Sequence, residues 1–137
     1  MTGHEDNKSP DPAPVDLTQA LSGLAFLLDP ANTPALDTPE DSFRLLGRLH
    51  DRGLFVSTFS GDTPWERHGA DELLLILEGE AKLVLLTDGH EHPTQLSKGQ
   101  FLVVPENTWH RFETPGIRIL GLTPQPTETS STDKLPD

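Results

Sequence analysis

Three side chains that carry a carboxylate or an imidazole lie close together in the sequence, just before an apolar run. A fourth such side chain follows a second apolar run. Glu66, His68 and Glu72 precede an apolar run of strand length, and His110 follows another apolar run. Residues at positions i and i+2 of a strand point to the same side, so Glu66 and His68 share a face. Imidazole and carboxylate groups are the ligands of many zinc, iron, manganese and nickel sites. These four residues are therefore candidates for a metal site.

The spacing of these residues follows two sequence motifs. In the first, three residues separate His68 from Glu72, and six more precede the next glycine. In the second, five residues separate Gly99 from Pro105, and four more precede His110. Over a region of about 43–123 this pattern resembles the two-motif signature of the cupin family. The family implies a small all-β barrel, the double-stranded β-helix, with a metal or ligand pocket inside.

The chain departs from the family motifs at three positions. Glu66 stands where the first motif has a histidine, Asn107 where the second has a glycine, and Thr114 where the second has an asparagine. Asparagine tolerates the left-handed backbone conformation that glycine often provides. The resemblance then implies at most two histidines and two glutamates around one divalent ion, with iron, manganese, nickel or zinc as candidates.

Glu66 is the ambiguous member of this set, and three roles stay open. It can bind the metal directly, or it can act as an outer hydrogen-bond acceptor or general base beside a facial site of His68, Glu72 and His110. In the third role it forms a salt bridge to Arg67 or Arg111 at the rim. We favour the general base, which makes Glu66 the candidate catalytic residue.

Other histidines and the aromatic residues favour simpler interpretations. His90 and His92 flank a turn and are expected to be exposed, as is His50. Trp109 precedes His110 and should face away from it by strand alternation. Four phenylalanines are predicted to lie in the core or the pocket wall: Phe55, Phe59, Phe101 and Phe112.

Composition limits the classes of partner and the compartment. The chain has 137 residues, no cysteine and a formal net charge of −12, which predicts one acidic domain without disulfides. Such a surface repels nucleic acid and anionic lipid, so neither is an expected partner. No apolar run approaches the roughly 18 residues of a membrane span, and the first residues lack the pattern of a signal peptide. We expect a cytoplasmic protein.

Patterning divides the chain into a domain with two tails. Residues 1–14 are polar and proline-rich and are predicted to be disordered, as are residues 125–137. The single domain then covers 15–124. Leucines at helical spacing predict a short helix over about 17–28, capped by Asp16 and packed on one face of the barrel.

Short apolar runs separated by turns predict at least eight strands. Such a pattern is typical of a β-sandwich or barrel. Turns are expected at 50–53, at Gly79 and at the Asp88–Gly89 pair. The predicted strands cover residues 43–49, 54–59, 73–77, 82–86, 94–96, 101–104, 109–113 and 117–122.

The residues leave two functions open. The first is a metal-dependent enzyme acting on a small polar molecule by dioxygenase, isomerase or lyase chemistry. The alternative is a small-molecule or metal-binding module without turnover, because the same fold serves both. A homodimer is also expected, since barrels of this size cover their exposed sheet edges, and the apolar face of the helix is a candidate contact.

Overall fold

The computed structural model describes residues 12–24, 27–28, 42–131 and 135–136, and they form a curled β-sheet with one short helix. This confirms the predicted all-β cupin barrel. The elements are α1 (Leu17–Leu21), β1 (Leu27–Leu28), β2 (Phe43–Leu49), β3 (Arg52–Asp62), β4 (Trp65–His68), β5 (Glu72–Thr87), β6 (His90–Ser97), β7 (Phe101–Val104), β8 (His110–Pro124) and β9 (Thr127–Ser130).

Strand β8 is the centre of the sheet. It pairs antiparallel with β3, with β5 and, at one position, with β4. Strand β5 also pairs antiparallel with β6 and β7. Strand β3 pairs antiparallel with β2 and parallel with the short β1. Because β3 and β5 flank β8, alternate side chains of all three strands face a shared interior.

Most of the interior outside the candidate site is apolar. Its buried residues come from most of the long strands and include an edge-to-face pair of Phe59 and Phe112, with ring centroids 5.7 Å apart. The main cluster comprises Phe59, Leu74, Ile76, Ala81, Leu83, Leu96, Val104, Phe112, Ile117 and Ile119.

The helix is shorter than the sequence predicts. Asp16 caps it as expected, since its carboxylate accepts a hydrogen bond from the Gln19 amide at 3.1 Å. Leu21 ends it, because Gly23 takes a left-handed φ of +82° that an α-helix cannot contain. Leu21 and Leu24 pack on Val56, which confirms that the helix covers one barrel face. Two leucines of that face are therefore buried within the chain, but the contribution of the helix to a homodimer stays a prediction.

Gly79 lies in a bulge inside β5 instead of ending a strand. The ladder between β5 and β8 shifts register on both sides of it, and the chain continues to Thr87. Gly79 has a φ of +84°, and a Cβ there would lie 3.3 Å from the Cα of Ile117 and closer still to the carbonyl of Gly116. The glycine thus lets two long strands stay paired at the point where the sheet bends.

The chain end differs from the predicted tail. Instead of lacking structure throughout 125–137, it forms β9, which pairs antiparallel with all four residues of β4. The polar sequence of β9 gives no local signal of a strand. Its stability comes from pairing with β4, which lies 59 to 65 positions away in sequence, and not from local apolar alternation. Most of the predicted N-terminal tail, residues 1–11, lies outside the described part of the chain.

The tight turns follow their sequence signals with one exception. Asp88 and Gly89 both have positive φ, 53° and 75°, as the hairpin turn between β5 and β6 requires. Asn107 has a φ of 58°, as expected for the position it holds. In the predicted turn before β3, the positive φ of 55° belongs to His50, although the turn also contains a glycine, Gly53. No helix in the described residues is long and apolar enough to cross a membrane.

Candidate metal centre

The sheet register brings the four candidate residues to one end of the barrel interior. Glu66 pairs directly with His110 between β4 and β8, so their side chains start about 5 Å apart. His68 lies two residues further along β4, on the same face as Glu66. Glu72 begins β5 and points into the same region, since its Oε1 lies 2.9 Å from Nε2 of His110.

Three of the four residues are almost completely buried. His68 and His110 are each 3% exposed and Glu72 is 4% exposed, whereas Glu66 is half-buried at the edge of the cavity. Removing ionisable groups from water is costly unless they are paired or bind a metal. Their shared burial therefore marks a functional centre more strongly than the residue types alone.

The donor atoms are spaced as ligands of one ion would be. Glu72 Oε1 lies 3.4 Å from His68 Nε2 and 2.9 Å from His110 Nε2. Two atoms that both bind a metal at about 2.1 Å lie about 3 to 3.5 Å from each other. Glu66, His68 and His110 also place one donor atom each within 4.8 Å of one another. The distances fit a divalent metal, with Glu72 in closer contact than Glu66.

Each buried residue has an outer hydrogen bond that leaves its inner atom free. His110 Nδ1 donates to the carbonyl oxygen of Thr108 at 3.0 Å, so neutral His110 keeps a lone pair on Nε2. His68 Nδ1 lies 3.1 Å from the hydroxyl of Thr127. Thr123 donates to Glu72 Oε2 at 2.6 Å, which leaves Oε1 for an inner partner. Such outer partners orient the ligands in metal sites.

Two of the inner atoms lack a hydrogen bond. His68 Nε2 and Glu72 Oε1 are fully buried and have no hydrogen-bond partner of acceptable geometry among the described residues, although Glu72 Oε1 lies close to both imidazoles. Buried polar atoms without partners are rare in folded proteins and call for a specific explanation. A metal ion between them would satisfy both, and two nitrogens with one or two oxygens suit iron, manganese, nickel or zinc.

The two carboxylates differ in their affinity for protons. Burial alone would raise the pKa of Glu72, but the adjacent imidazoles of His110 and His68 lower it to about 2. Burial raises the pKa of Glu66, the negative charge of Glu72 adds to this effect, and the two imidazoles oppose it. Glu66 therefore holds a proton more tightly than Glu72 does, the kind of separation seen where two carboxyl groups have different roles.

The pKa of His110 is raised, whereas that of Glu72 is lowered. Burial of His110 would lower its pKa, but the adjacent carboxylate of Glu72 outweighs burial and raises it. Without a metal, a proton on Nε2 can thus replace the ion as the partner of Glu72. A proton and a bound metal ion would then compete for the same nitrogen.

A cavity of about 380 Å³ opens from this centre. Glu66, Glu72 and His110 line one end, and the walls are mostly apolar and aromatic. Its other described lining residues are Ser42, Phe43, Phe55, Ser57, Thr58, Phe59, Thr63, Pro64, Leu74, Phe112, Ile119, Gly121, Thr123, Gln125 and Thr127.

Two arginines beside the ligands have partners elsewhere. Arg67 pairs with Glu128 at 3.1 Å and lies over the ring of Trp109, which faces away from the cavity as predicted. Arg111 pairs with Glu91 at 3.2 Å and with Glu113 at 2.5 Å. The alternative that Glu66 forms a rim salt bridge to one of these arginines therefore finds no support in the described contacts.

Most of the remaining predictions for single residues are confirmed, and one is wrong. His50, His90 and His92 are exposed, as predicted. Phe59 and Phe112 lie in the core and Phe55 in the cavity wall, but the prediction for Phe101 is wrong, since it is 64% exposed on β7. The sequence gives no sign of Thr123 and Thr127 as outer partners, because only the paired strands bring them to the site.

Comparison with known proteins agrees with this architecture. A family model described as a cupin domain matches residues 57–120. An acireductone dioxygenase of Rhodopseudomonas palustris (strain TIE-1) is 30% identical over 115 residues, which cover 78% of this chain and 67% of that protein. The chain belongs to the cupin family.

Solved structures similar to this cupin extend the comparison of the fold. A protein of Neisseria meningitidis has 21% identity and a TM-score of 0.58, with 82% of this chain and 100% of that chain covered. A hydroquinone 1,2-dioxygenase in complex with Cd²⁺ and 4-hydroxybenzonitrile has 20% identity and a TM-score of 0.52, with 60% of this chain covered. The cupin spans 63% of the length of that dioxygenase chain. At these identities the similarity shows the shared fold.

Proposed function

We propose that this cupin binds one divalent metal ion through His68, Glu72 and His110 and uses it to dioxygenate a small molecule. The observation that carries the proposal is the pair of buried atoms without hydrogen bonds, His68 Nε2 and Glu72 Oε1, which face each other at 3.4 Å. Similarity to an acireductone dioxygenase supports dioxygenase chemistry over isomerase or lyase chemistry. Iron is the favoured ion, since two histidines and one carboxylate with open positions form the ligand set of many non-haem iron oxygenases.

The protein side chains have separate tasks in this proposal. The metal, when bound, would supply Lewis acidity and dioxygen chemistry. Thr127, Thr123 and the Thr108 carbonyl fix the orientation of its ligands. The apolar walls exclude water from the site, which strengthens the electrostatic interactions inside it.

Glu66 would act as the general base. It is half-buried in the cavity wall, and its raised pKa moves it from a weak base towards one suited to neutral pH. Its carboxylate would take the proton of a substrate hydroxyl group as that oxygen approaches the metal. The alternative role is a fourth ligand, since Glu66 also brings an oxygen within 4.8 Å of both histidine donors.

Metal analysis and a turnover screen test the proposal together. Protein purified without chelator should contain about one divalent ion per chain, and His68→Ala or His110→Ala should remove it. His90→Ala is the matched control, because His90 is exposed and is not among the lining residues of the cavity. Retention of the ion by both site variants would contradict the proposal.

Oxygen consumption separates the enzyme from the binding module. Iron-loaded protein should consume dioxygen with a small diketone or enediol substrate, and the two histidine variants should not. A saturable thermal shift with the same compounds and no oxygen consumption would identify a binding module instead.

We also propose a homodimer. The support comes from β7, which pairs only with β5 among the described strands and exposes Phe101 and Val103 on one side. Light scattering of wild type and of Phe101→Ser at tens of micromolar tests it, and a wild-type monomer would contradict it. The cytoplasmic location stays a prediction.

A further inference from the structure

Two pairs of aromatic rings line the cavity above the candidate metal centre. Phe43 on β2 stacks on Phe55 of β3, with ring centroids 4.7 Å apart and an interplanar angle of 28°. Phe59 and Phe112 form the edge-to-face pair deeper in the cavity. The outer pair is the accessible one, since Phe43 is 44% exposed and Phe55 half-buried. The cavity thus has an aromatic wall and an aromatic floor.

A glycine lets the Phe55 ring lean towards the metal end. A Cβ on Gly53 would lie 2.6 Å from Cζ of Phe55, so the ring occupies the space above that glycine. Gly53 is paired with Thr123, the hydrogen-bond partner of Glu72. The ring therefore extends from its own position on β3 towards the end of the barrel that holds Glu72.

Three of the threonines in the cavity wall have hydrogen-bond partners within the protein. Thr63 accepts a hydrogen bond from the Phe112 amide, Thr123 donates to Glu72, and Thr127 contacts His68. The described lining residues include neither lysine nor arginine. A phosphate or a remote carboxylate would therefore find no cationic side chain among these residues.

We propose that the substrate has a planar aromatic body that lies against Phe55 and Phe43, with its oxygen atoms directed at the metal centre. Offset-stacked and edge-to-face contacts with these rings would hold the body, because aromatic faces and edges carry opposite partial charge. The inference rests on the proposed metal site and adds the class of substrate. It makes Phe55 a specificity-determining residue and Gly53 the residue that positions it.

A pair of hydroxamates tests this inference without knowledge of the substrate. Benzohydroxamate and acetohydroxamate bind a metal through the same two oxygens and differ in the presence of a ring. Titration calorimetry with nickel-loaded protein should give at least tenfold tighter binding of benzohydroxamate. Phe55→Leu and Gly53→Ala should reduce this ratio at least threefold and leave the acetohydroxamate affinity within twofold. Phe101→Ala is the matched control and should keep the wild-type ratio.

The outcomes separate the inference from the proposed function. Equal affinities of the wild type for the two hydroxamates would overturn the aromatic substrate and leave the metal site in place. An unchanged ratio in Phe55→Leu and Gly53→Ala would overturn the role of Phe55. Absence of bound nickel from the wild type would overturn the proposed function, and the inference with it. Metal content and acetohydroxamate affinity show for each variant that the site has folded.

Discussion

Thr127 Oγ1 lies 3.1 Å from Nδ1 of His68, so a strand at the end of the barrel sheet orients an imidazole of the candidate metal centre. Strand β9 is held beside β4 by four consecutive residue pairs, with Thr127 directly opposite His68. The hydroxyl and the ring meet because the backbones of the two strands are in register. A polar segment without an apolar pattern thereby becomes part of the site.

Thr127→Val should weaken metal binding about tenfold, because loss of an outer partner of a ligating histidine typically costs that much or more. Thr127→Ser should restore most of the affinity by returning the hydroxyl. Thr129→Val is the matched control, since Thr129 lies on the same strand and is exposed. Competition with a fluorescent chelator measures all three, and equal affinities of the Val variants would contradict the role of Thr127.

Glu66→Gln and Glu72→Gln should have different effects. Glu72→Gln should remove the metal, because Glu72 Oε1 is the atom between the two imidazoles. Glu66→Gln should keep it and lower turnover by a factor of about 10² to 10⁴, the usual contribution of a general base. Loss of metal from Glu66→Gln would instead identify Glu66 as a ligand. Metal analysis and oxygen-consumption rates on the same samples distinguish the two results.

Stability should depend on pH in opposite ways with and without metal. In the metal-free protein the pKa of His110 is raised above its ordinary value of 6.5 by Glu72, although burial opposes the rise. This pair therefore stabilises the fold fully below about pH 6.5, and its contribution is lost as pH rises through the folded pKa. Metal needs the unprotonated nitrogen, so its stabilisation should grow over the same interval.

Thermal unfolding between pH 6 and 8, with and without nickel, measures this competition. The increase in Tm caused by the metal should become larger as pH rises, and the exposed-histidine variant His90→Ala should show the same trend. Glu72 stays ionised throughout, since its burial is outweighed by the two adjacent imidazoles, which hold its pKa at about 2. A metal-induced shift that shrinks with rising pH would contradict the assignment.

Gly79→Ala should destabilise the fold more than Gly89→Ala. Both glycines have positive φ, 84° and 75°, so both substitutions introduce backbone strain of about 1 to 2 kcal/mol. Only Gly79 faces a backbone neighbour at close range, the carbonyl of Gly116 on β8, while a Cβ on Gly89 meets nothing within 4 Å. The free energy of unfolding in urea should differ between the variants by at least 1 kcal/mol, a typical cost of overpacking.

Local sequence patterns predicted the barrel well where strands have their own apolar signal. Strands β2 and β7 have the predicted bounds, and the residues that meet at the candidate site are those singled out by type and spacing. Pairing across the sheet was harder to predict. The continuation of β5 through Gly79 and the formation of β9 depend on distant partners, which a local window does not contain.

The limits of a local sequence window also explain the wrong predictions for single residues. Phe101 resembles a core residue in the sequence, but it lies on a strand with one described neighbour and points outward. The leucine repeat at the start of the chain predicts a longer helix, whereas Gly23 ends it and Leu27–Leu28 pair with β3. Apolar spacing shows which residues are able to share a face but does not give the length of the element.

The contact between His68 and Thr127 joins residues 59 positions apart. Because synthesis runs from the N-terminus, all four candidate ligands leave the ribosome before the strand that fixes His68. A nascent chain that ends between His110 and Thr127 has every donor atom but lacks one of the groups that orient them. At the proposed metal site, full affinity is therefore expected only after β9 has joined the sheet, and an unfinished chain should bind the ion more weakly than the complete one.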